Sequence, residues 1–136
     1  MNMTADMMKA MSTNDMMMPT MDMAMMQECM EACNAAMQAC TMCADTMMSM
    51  DGMGKCAAMC TMCADVCMTM MRMMMRPMAM DAAVMMPMLE ACMAMCKACM
   101  DECMTHAEMS ETCRMCAMAC QACMDACDKM MKAMAA

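Results

Sequence analysis

Apolar residues recur along this chain at steps of three and four, which is the period of an α-helix, and no strand-like alternation competes with them. Thr20 and Ser110 are candidate N-caps, and Pro87 suits the first turn of a helix. The predicted helices run from about Met21 to Met50, from about Lys55 to Met75, from near Pro87 to near Thr105, and from Ser110 to about Met134. The sequence therefore predicts an all-α protein.

The segments between these helices are mostly short. Asp51-Gly52-Met53-Gly54 separates the first two helices, and Gly-containing runs of this kind mark turns. Residues 76–87 form a longer connector with room for one helical turn after Asp81. Four long helices with mostly short loops favour an antiparallel up-down-up-down four-helix bundle. We expect residues 1–19 to be a Met-rich flexible leader and residues 20–136 to be the bundle domain.

The face of each helix that should form the core carries cysteine where Leu, Ile or Val is usual. Within each series, the 17 cysteines of the chain follow one another at steps of three or four residues, except that Cys33 and Cys40 are seven residues apart with Ala36 between them at such steps. Residues at these steps share one face of a helix. The four series are Cys29, Cys33, Cys40, Cys43; Cys56, Cys60, Cys63, Cys67; Cys92, Cys96, Cys99, Cys103; and Cys113, Cys116, Cys120, Cys123, Cys127. The pattern predicts a bundle whose core is lined with thiols.

The same steps continue past the cysteines and reach further sulfur or nitrogen ligands. Met47, Met70 and Met130 extend the first, second and fourth series, and His106, the single histidine, lies three residues after the last cysteine of the third. These four residues are candidate ligands at the ends of the thiol column. The alternative for each methionine is ordinary core filling, and for His106 a polar residue at a helix end.

Composition indicates a weak core in the absence of metal. The 136 residues include 43 methionines, no aromatic residue and one leucine. A cysteine side chain buries little apolar area compared with leucine, and methionine is flexible and specifies packing poorly. We therefore expect the fold to gain much of its rigidity from bound metal, since metal-binding free energy contributes to folding.

Charge and hydropathy narrow the possible partners and location. The net charge of −8 and the absence of a basic patch argue against nucleic acid. We expect no membrane span, because the most apolar stretch, residues 68–88, is interrupted by charged residues and two prolines. No targeting segment is recognisable, so the expected location is cytoplasmic, where thiols stay reduced.

The ligand chemistry favours several Cu(I) ions as the bound metal. Soft thiolate and thioether ligands select Cu(I), although thiolates also suit zinc and iron–sulfur clusters. One Cu(I) per thiolate leaves the core neutral, whereas one Zn²⁺ per four thiolates leaves two negative charges buried at each site, which is costly. Zinc modules also group their ligands around turns, whereas these cysteines form continuous stripes.

An enzyme is not expected. Catalytic thiol pairs and copper enzymes need an open site with a few tuned residues, and this sequence distinguishes no single cysteine and has one histidine. We therefore predict no catalytic residues. Many equivalent ligands are typical of a protein that binds metal in quantity.

Four stretches of the sequence carry a family resemblance: residues 28–33, residues 63–67, residues 92–106 including the histidine, and residues 113–136. With these, residues 21–136 resemble the bacterial cysteine-rich four-helix-bundle copper storage proteins, especially the cytosolic branch. The resemblance implies that the inward cysteines bind many Cu(I) ions and that the protein forms a homo-tetramer. A copper chaperone is a candidate exchange partner.

The chain departs from this family pattern in two ways. Ala36, Met47 and Leu89 stand at stripe positions where the family often has cysteine, so the copper capacity could be lower. Methionine also replaces the ordinary aliphatic and aromatic residues of the family. Two alternative functions therefore stay open: a metallothionein-like protein for Zn²⁺ or Cd²⁺, and an artificial Met- and Cys-enriched bundle with no physiological metal role.

Overall fold

The computed structural model describes residues 3–10 and 23–135, and all of its regular structure in these ranges is helical. The α-helices are α1 (Met3–Ala10), α2 (Met23–Met48), α3 (Gly54–Met74), α4 (Ala82–Met104) and α5 (Glu111–Ala135), with a 3₁₀ turn at Pro77–Ala79. The all-α prediction is confirmed.

Helices α2 to α5 form a four-helix bundle. Both α2 and α4 pack against α3 and α5, so the four helices surround one core. The sulfur contacts give the direction of the helices: Cys29, early in α2, lies 3.8 Å from Cys127, late in α5, whereas Cys43, late in α2, lies 3.8 Å from the early Cys113 of α5. The same reversal relates α3 to α4. Neighbouring helices therefore run antiparallel in both pairs.

The turn between α2 and α3 lies where the sequence predicts it. Helix α2 ends at Met48 and α3 begins at Gly54, within two residues of the predicted bounds. Gly52 has a φ of +79°, which lies in the left-handed region that glycine adopts without steric cost. The short turn lets α3 fold back against α2 and aligns their cysteine faces.

Helix α4 begins at Ala82, and the prediction that it starts near Pro87 was wrong. The Asp81 carboxylate accepts a hydrogen bond from the Ala83 backbone N–H at 3.0 Å, which caps the helix one turn earlier. Pro87 consequently lies inside the helix. Its ring removes the hydrogen bond to the Ala83 carbonyl, and this loss is tolerated because Ala83 and Pro87 are both exposed to water.

The start of α5 lies where it was predicted, whereas the N-terminal leader contains a helix that was not predicted. At the start of α5, the Cys113 N–H donates to the Ser110 hydroxyl at 3.3 Å, so Ser110 caps the helix as predicted. In the N-terminal leader, the structure adds helix α1, which contacts α2 and was not predicted. The proposed cap Thr20 lies outside the described residues.

The core of the bundle is divided between thiols and thioethers. The buried apolar residues form one continuous cluster in which cysteines fill the middle and methionines the ends. Helices α3 and α4 are long and apolar enough to cross a membrane by length and composition alone. Core helices of soluble bundles meet the same criterion, and both helices turn their cysteine faces into this core.

Candidate metal centre

All 17 cysteines predicted to face the core are there, as free thiols with at most 1% of the side chain exposed. They reach this position because each series follows the inward face of its helix. No cysteine is exposed to solvent as an isolated thiol. The thiols therefore form a single compartment, which we call the thiol column.

Contacts within the thiol column join different helices. The Cys40 sulfur of α2 lies 3.9 Å from Cys99 of α4, and 3.6 and 3.8 Å from Cys116 and Cys120 of α5. Cys63 of α3 lies 4.0 Å from Cys120, across the core. A single metal ion placed in the column would thus meet sulfur atoms from three or four helices.

The sulfur atoms come together in overlapping groups of four. In each group, all four sulfurs lie within 4.8 Å of one another, and every member is buried. The groups are Cys33, Cys92, Cys123, Cys127; Cys67, Cys92, Cys96, Cys123; Cys40, Cys99, Cys116, Cys120; Cys43, Cys60, Cys103, Cys116; and Cys43, Cys56, Cys103, Cys113. Because neighbouring groups share members, ions bound in them would be bridged by common thiolates.

The two cysteines outside these groups join the same network. Cys29 lies 3.8 Å from Cys127, and Cys63 lies 3.9 Å from both Cys67 and Cys96. Every predicted cysteine ligand is therefore connected to the others through sulfur contacts. The column offers a continuous path along which an ion could pass between thiolates.

The sulfur separations suit bound metal without rearrangement of the helices. Two metal–sulfur bonds of about 2.3 Å span 3.6 to 4.0 Å when the angle at the metal is about 100° to 120°. Such angles are those of three- and four-coordinate sites. A linear two-coordinate ion needs a spacing of about 4.6 Å, which Cys92 and Cys96 can approach, since they lie within 4.8 Å of each other.

The thiols differ in how readily they lose a proton. Burial raises the pKa of Cys43 to about 12, and burial also raises the pKa of Cys56. The hydrogen bond between the Cys29 and Cys127 thiols lowers the pKa of Cys29 to about 5. Since the metal ligand is the thiolate, ions bound at Cys43 and Cys56 would displace protons, and metal binding should release acid.

Met47 lies at the end of the thiol column, as its place in the cysteine series predicts. Its side chain is fully buried, and its sulfur lies 3.5 Å from the Cys113 sulfur, which donates its S–H to it. The thioether therefore completes the group of Cys43, Cys56, Cys103 and Cys113 from one side. This contact makes Met47 a ligand candidate on geometry as well as on sequence.

His106 lies near the same end but contacts a carboxylate. Its Nε2 atom is 3.5 Å from Oε2 of Glu102, and Oε1 of Glu102 is 3.7 Å from Nζ of Lys55. The five groups of four cysteines do not include the imidazole. The pairing of Glu102 with His106 was not predicted, although their four-residue spacing on a helix is a signal for it.

Met70 and Met130 occupy the opposite end of the core. Both side chains are fully buried, together with Met26, Met74 and Leu89. We call these five residues the methionine plug. Their position on the extended stripes is as predicted, and whether Met70 and Met130 bind metal stays a prediction.

The thiol column is therefore displaced toward one end of the bundle, which we call the thiol-rich end. There, Cys56 and Cys113 are the third residues of their helices, and Cys103 is the last residue but one of α4. At the other end, Cys29 is preceded by a full six residues of α2. Fewer helical residues thus separate sulfur from the helix ends at the thiol-rich end.

The known proteins that are similar to this chain in sequence and structure are described as copper storage proteins. A sequence model of the copper storage protein family matches residues 22–132. The copper storage protein Ccsp of Streptomyces lividans, in a structure loaded with 10 copper equivalents, is 40% identical, with a TM-score of 0.79; the match covers 82% of this chain and 86% of that chain. Among curated proteins there is no significant match.

Two further structures of the Streptomyces lividans protein are similar. One, described as a cytosolic copper storage protein with five coppers, is 40% identical with a TM-score of 0.78 and covers 80% of this chain and 93% of that chain. A histidine-to-alanine variant is 40% identical with a TM-score of 0.79 and covers 82% and 96% of the two chains. The similarity therefore extends over the whole bundle.

Proposed function

Because this chain belongs to the copper storage protein family, we propose that it stores many Cu(I) ions in its thiol column. The observation that carries the proposal is the continuous network of buried free thiols, with sulfur contacts of 3.6 to 4.0 Å. A protein that used a single metal for catalysis or for structure would need a few of these ligands. A column of seventeen suits storage.

Charge supports a monovalent ion. Seventeen thiolates without metal would add seventeen negative charges to a chain that already carries a net charge of −8. Within the described residues, the buried polar and charged side chains amount to Ser110, so no buried cation balances the thiolates. Each Cu(I) neutralises one thiolate, and a neutral filled column avoids the cost of burying charge.

Copper enters and leaves, on this proposal, at the thiol-rich end. An ion arriving there meets Cys56, Cys103 and Cys113 within the first turn of a helix end. At the opposite end, it would first have to displace the methionine plug, whose side chains are fully buried. Exchange between shared thiolates would then move ions deeper into the column.

The non-cysteine candidates have different roles in this scheme. Met47 is a neutral ligand for the outermost ion, because its sulfur lies against Cys113. His106 lies beside the path of entering ions and can bind copper when it separates from Glu102. Met70 and Met130 are reserve ligands, reached only when the cysteines nearest the methionine plug are occupied.

A second function, storage or detoxification of Zn²⁺ or Cd²⁺, is favoured by one specific observation. Groups of four sulfurs within 4.8 Å of one another also suit a tetrahedral divalent ion. Their overlap argues against it, because shared members prevent all five groups from being filled as independent four-cysteine sites. Competition between the two metals distinguishes these functions.

The test is an anaerobic titration of the fully reduced protein with Cu(I) against a competing chelator. We expect saturation near one copper per cysteine, about 17, because bridging thiolates allow this ratio. A parallel titration in the presence of excess Zn²⁺ should give the same end point. Saturation at about four equivalents with effective competition by Zn²⁺ would overturn copper storage in favour of discrete zinc sites.

We also propose a cellular location and an oligomeric state for the protein. A similar protein is described as cytosolic, and free thiols persist in a reducing compartment, which supports a cytoplasmic location. We propose a homo-tetramer that exchanges copper with a chaperone and has no catalytic activity. Light scattering coupled to size-exclusion chromatography gives the oligomeric state directly.

A further inference from the structure

Thirteen methionines in the described part of the chain have exposed side chains, between 38% and 75% accessible. Exposed positions of a helix are normally taken by charged or polar residues, and a thioether there adds nothing to the core. Among large apolar side chains in these ranges, the other exposed one is Val84. The surface of this protein is therefore rich in oxidisable sulfur.

The exposed thioethers are interleaved with the buried thiols along the helices. Met42 lies between Cys40 and Cys43, and Met62 lies between Cys60 and Cys63. Met68, Met104, Met115 and Met118 follow or separate cysteines in the same way. A helical turn that presents a thiol to the core thus presents a thioether to solvent, within one helix diameter of about 10 Å.

The thiols and these thioethers differ strongly in the fraction of the side chain that is exposed to solvent. Cysteines have at most 1% of the side chain exposed, whereas Met42 and Met62 are 63% and 53% exposed. An oxidant that diffuses up to the bundle therefore meets thioether first, and it reaches thiol only after the helices separate locally. A fast oxidant such as hypochlorous acid is therefore expected to react first with the exposed thioethers.

We propose that the exposed methionines are a sacrificial shield that consumes hypohalous acids before they oxidise the thiols of the core. In each event, one thioether and one HOCl give one sulfoxide, one chloride and one proton. The sulfur loses two electrons and the chlorine gains two, so no further reactant is needed. Methionine sulfoxide is reducible back to methionine, whereas higher oxidation states of cysteine are largely irreversible.

The surface is suited to absorb this change without unfolding. Methionine sulfoxide is polar and disrupts a packed core, but at an exposed position it is solvated. Buried methionines such as Met26 and Met74 have no exposed surface, so they would be oxidised late. The shield therefore depends on position and not on methionine content alone.

The experiment is a titration of the full-length reduced protein, without copper, with substoichiometric to excess HOCl. Peptide mass spectrometry locates the sulfoxides, and a thiol assay after unfolding counts the surviving cysteines. We expect Met42 and Met62 to be oxidised before Met26 and Met74, with the thiol count unchanged over the first several equivalents. Loss of thiols from the first equivalents, with these methionines intact, would overturn the proposal.

Matched variants test whether position decides the order. Substitution of four exposed methionines, Met42→Leu, Met62→Leu, Met68→Leu and Met78→Leu, should lower the HOCl tolerated before the first thiol is lost by about four equivalents, one per thioether removed. The same number of buried substitutions, Met26→Leu, Met30→Leu, Met74→Leu and Met85→Leu, should leave that threshold unchanged. An equal shift in both variants would show that accessibility does not protect the core.

The outcome of the HOCl titration does not depend on the storage proposal, because the protein is titrated without copper. Repeating the titration with copper-loaded protein tests whether oxidation also releases the stored copper. We expect copper release, followed with a Cu(I)-specific chelator, to begin at the same HOCl threshold as thiol loss. Release before any thiol is lost would contradict protection of a loaded core.

Discussion

The sulfur of Met47 lies 3.5 Å from the sulfur of Cys113, and the Cys113 thiol donates its hydrogen to the thioether. Met47 belongs to α2 and Cys113 to α5, so the contact joins two neighbouring helices at the thiol-rich end of the bundle. A thioether at this distance can replace a thiolate as a metal ligand without adding charge.

The substitution Met47→Leu tests this ligand role. Leucine keeps the volume of the side chain, so the stability cost should be below about 1.5 kcal/mol, while the ligand sulfur is lost. We expect the Cu(I) end point to stay near one copper per cysteine, and the weakest-bound copper to become easier to remove with a chelator. Met26→Leu, buried in the methionine plug, is the matched control and should change neither quantity.

Copper should stabilise the bundle strongly, because the apo core has little apolar area. A single site occupied at 100 times its Kd contributes about 2.7 kcal/mol, which raises Tm by about 10 °C in a chain of this size. Many sites should raise it further, in steps that follow loading. Calorimetry of the reduced protein with increasing Cu(I) checks this, and an unchanged Tm after full loading would mean that copper is bound outside the core.

The sequence was sufficient to predict the fold class and the membership of the core. The cysteine series determine which face of each helix is inward, because seventeen residues in phase leave one consistent packing. It could not locate the start of α4, where Asp81 competes with Pro87 and a local hydrogen bond decides the outcome. It also could not show which thiols from different helices meet, since contacts such as Cys40 to Cys99 depend on the relative heights of the helices.

The Asp81 cap gives a prediction about stability alone. Asp81→Ala removes the acceptor for the Ala83 N–H and should destabilise the protein by about 1 kcal/mol. Asp81→Asn retains a cap oxygen and should cost much less. Guanidinium denaturation measures both, and the copper end point of each variant should stay at the wild-type value. An equal loss of stability in the two variants would indicate that the charge of Asp81, and not its hydrogen bond, stabilises the helix.

The stability of the apo protein should fall at alkaline pH. Burial raises the pKa of Cys43 from 9.0 to about 12, so the folded protein keeps this proton at pH values where the unfolded chain has lost it. Below pH 9 both states hold the proton and the contribution is fully present; between about 9 and 12 the unfolded state is favoured increasingly. The guanidinium midpoint under reducing conditions should therefore decrease over this pH range. The midpoint of the Cys43→Ala variant should decrease less steeply. Parallel pH profiles in the two proteins would contradict the assignment to Cys43.

Substitution of Ala36 by cysteine gives the most direct test of the thiol column as a storage site, because it adds a ligand instead of removing one. Its side chain is fully buried on the inward face of α2, at the three- and four-residue steps between Cys33 and Cys40. Ala36→Cys adds one sulfur to the column with a small increase in volume. If the column fills by thiolate count, the Cu(I) end point should rise by about one equivalent.

The neighbouring substitution Ala35→Cys is the matched control for this gain, because it adds the same thiol on an exposed face of the same helix. We expect that thiol to bind copper weakly, so that a competing chelator removes the ion and the end point stays at the wild-type value. A rise in both variants would mean that capacity follows cysteine content and not the column. No rise in Ala36→Cys, with the fold intact by circular dichroism, would show that copper occupies defined clusters that an additional thiol cannot extend.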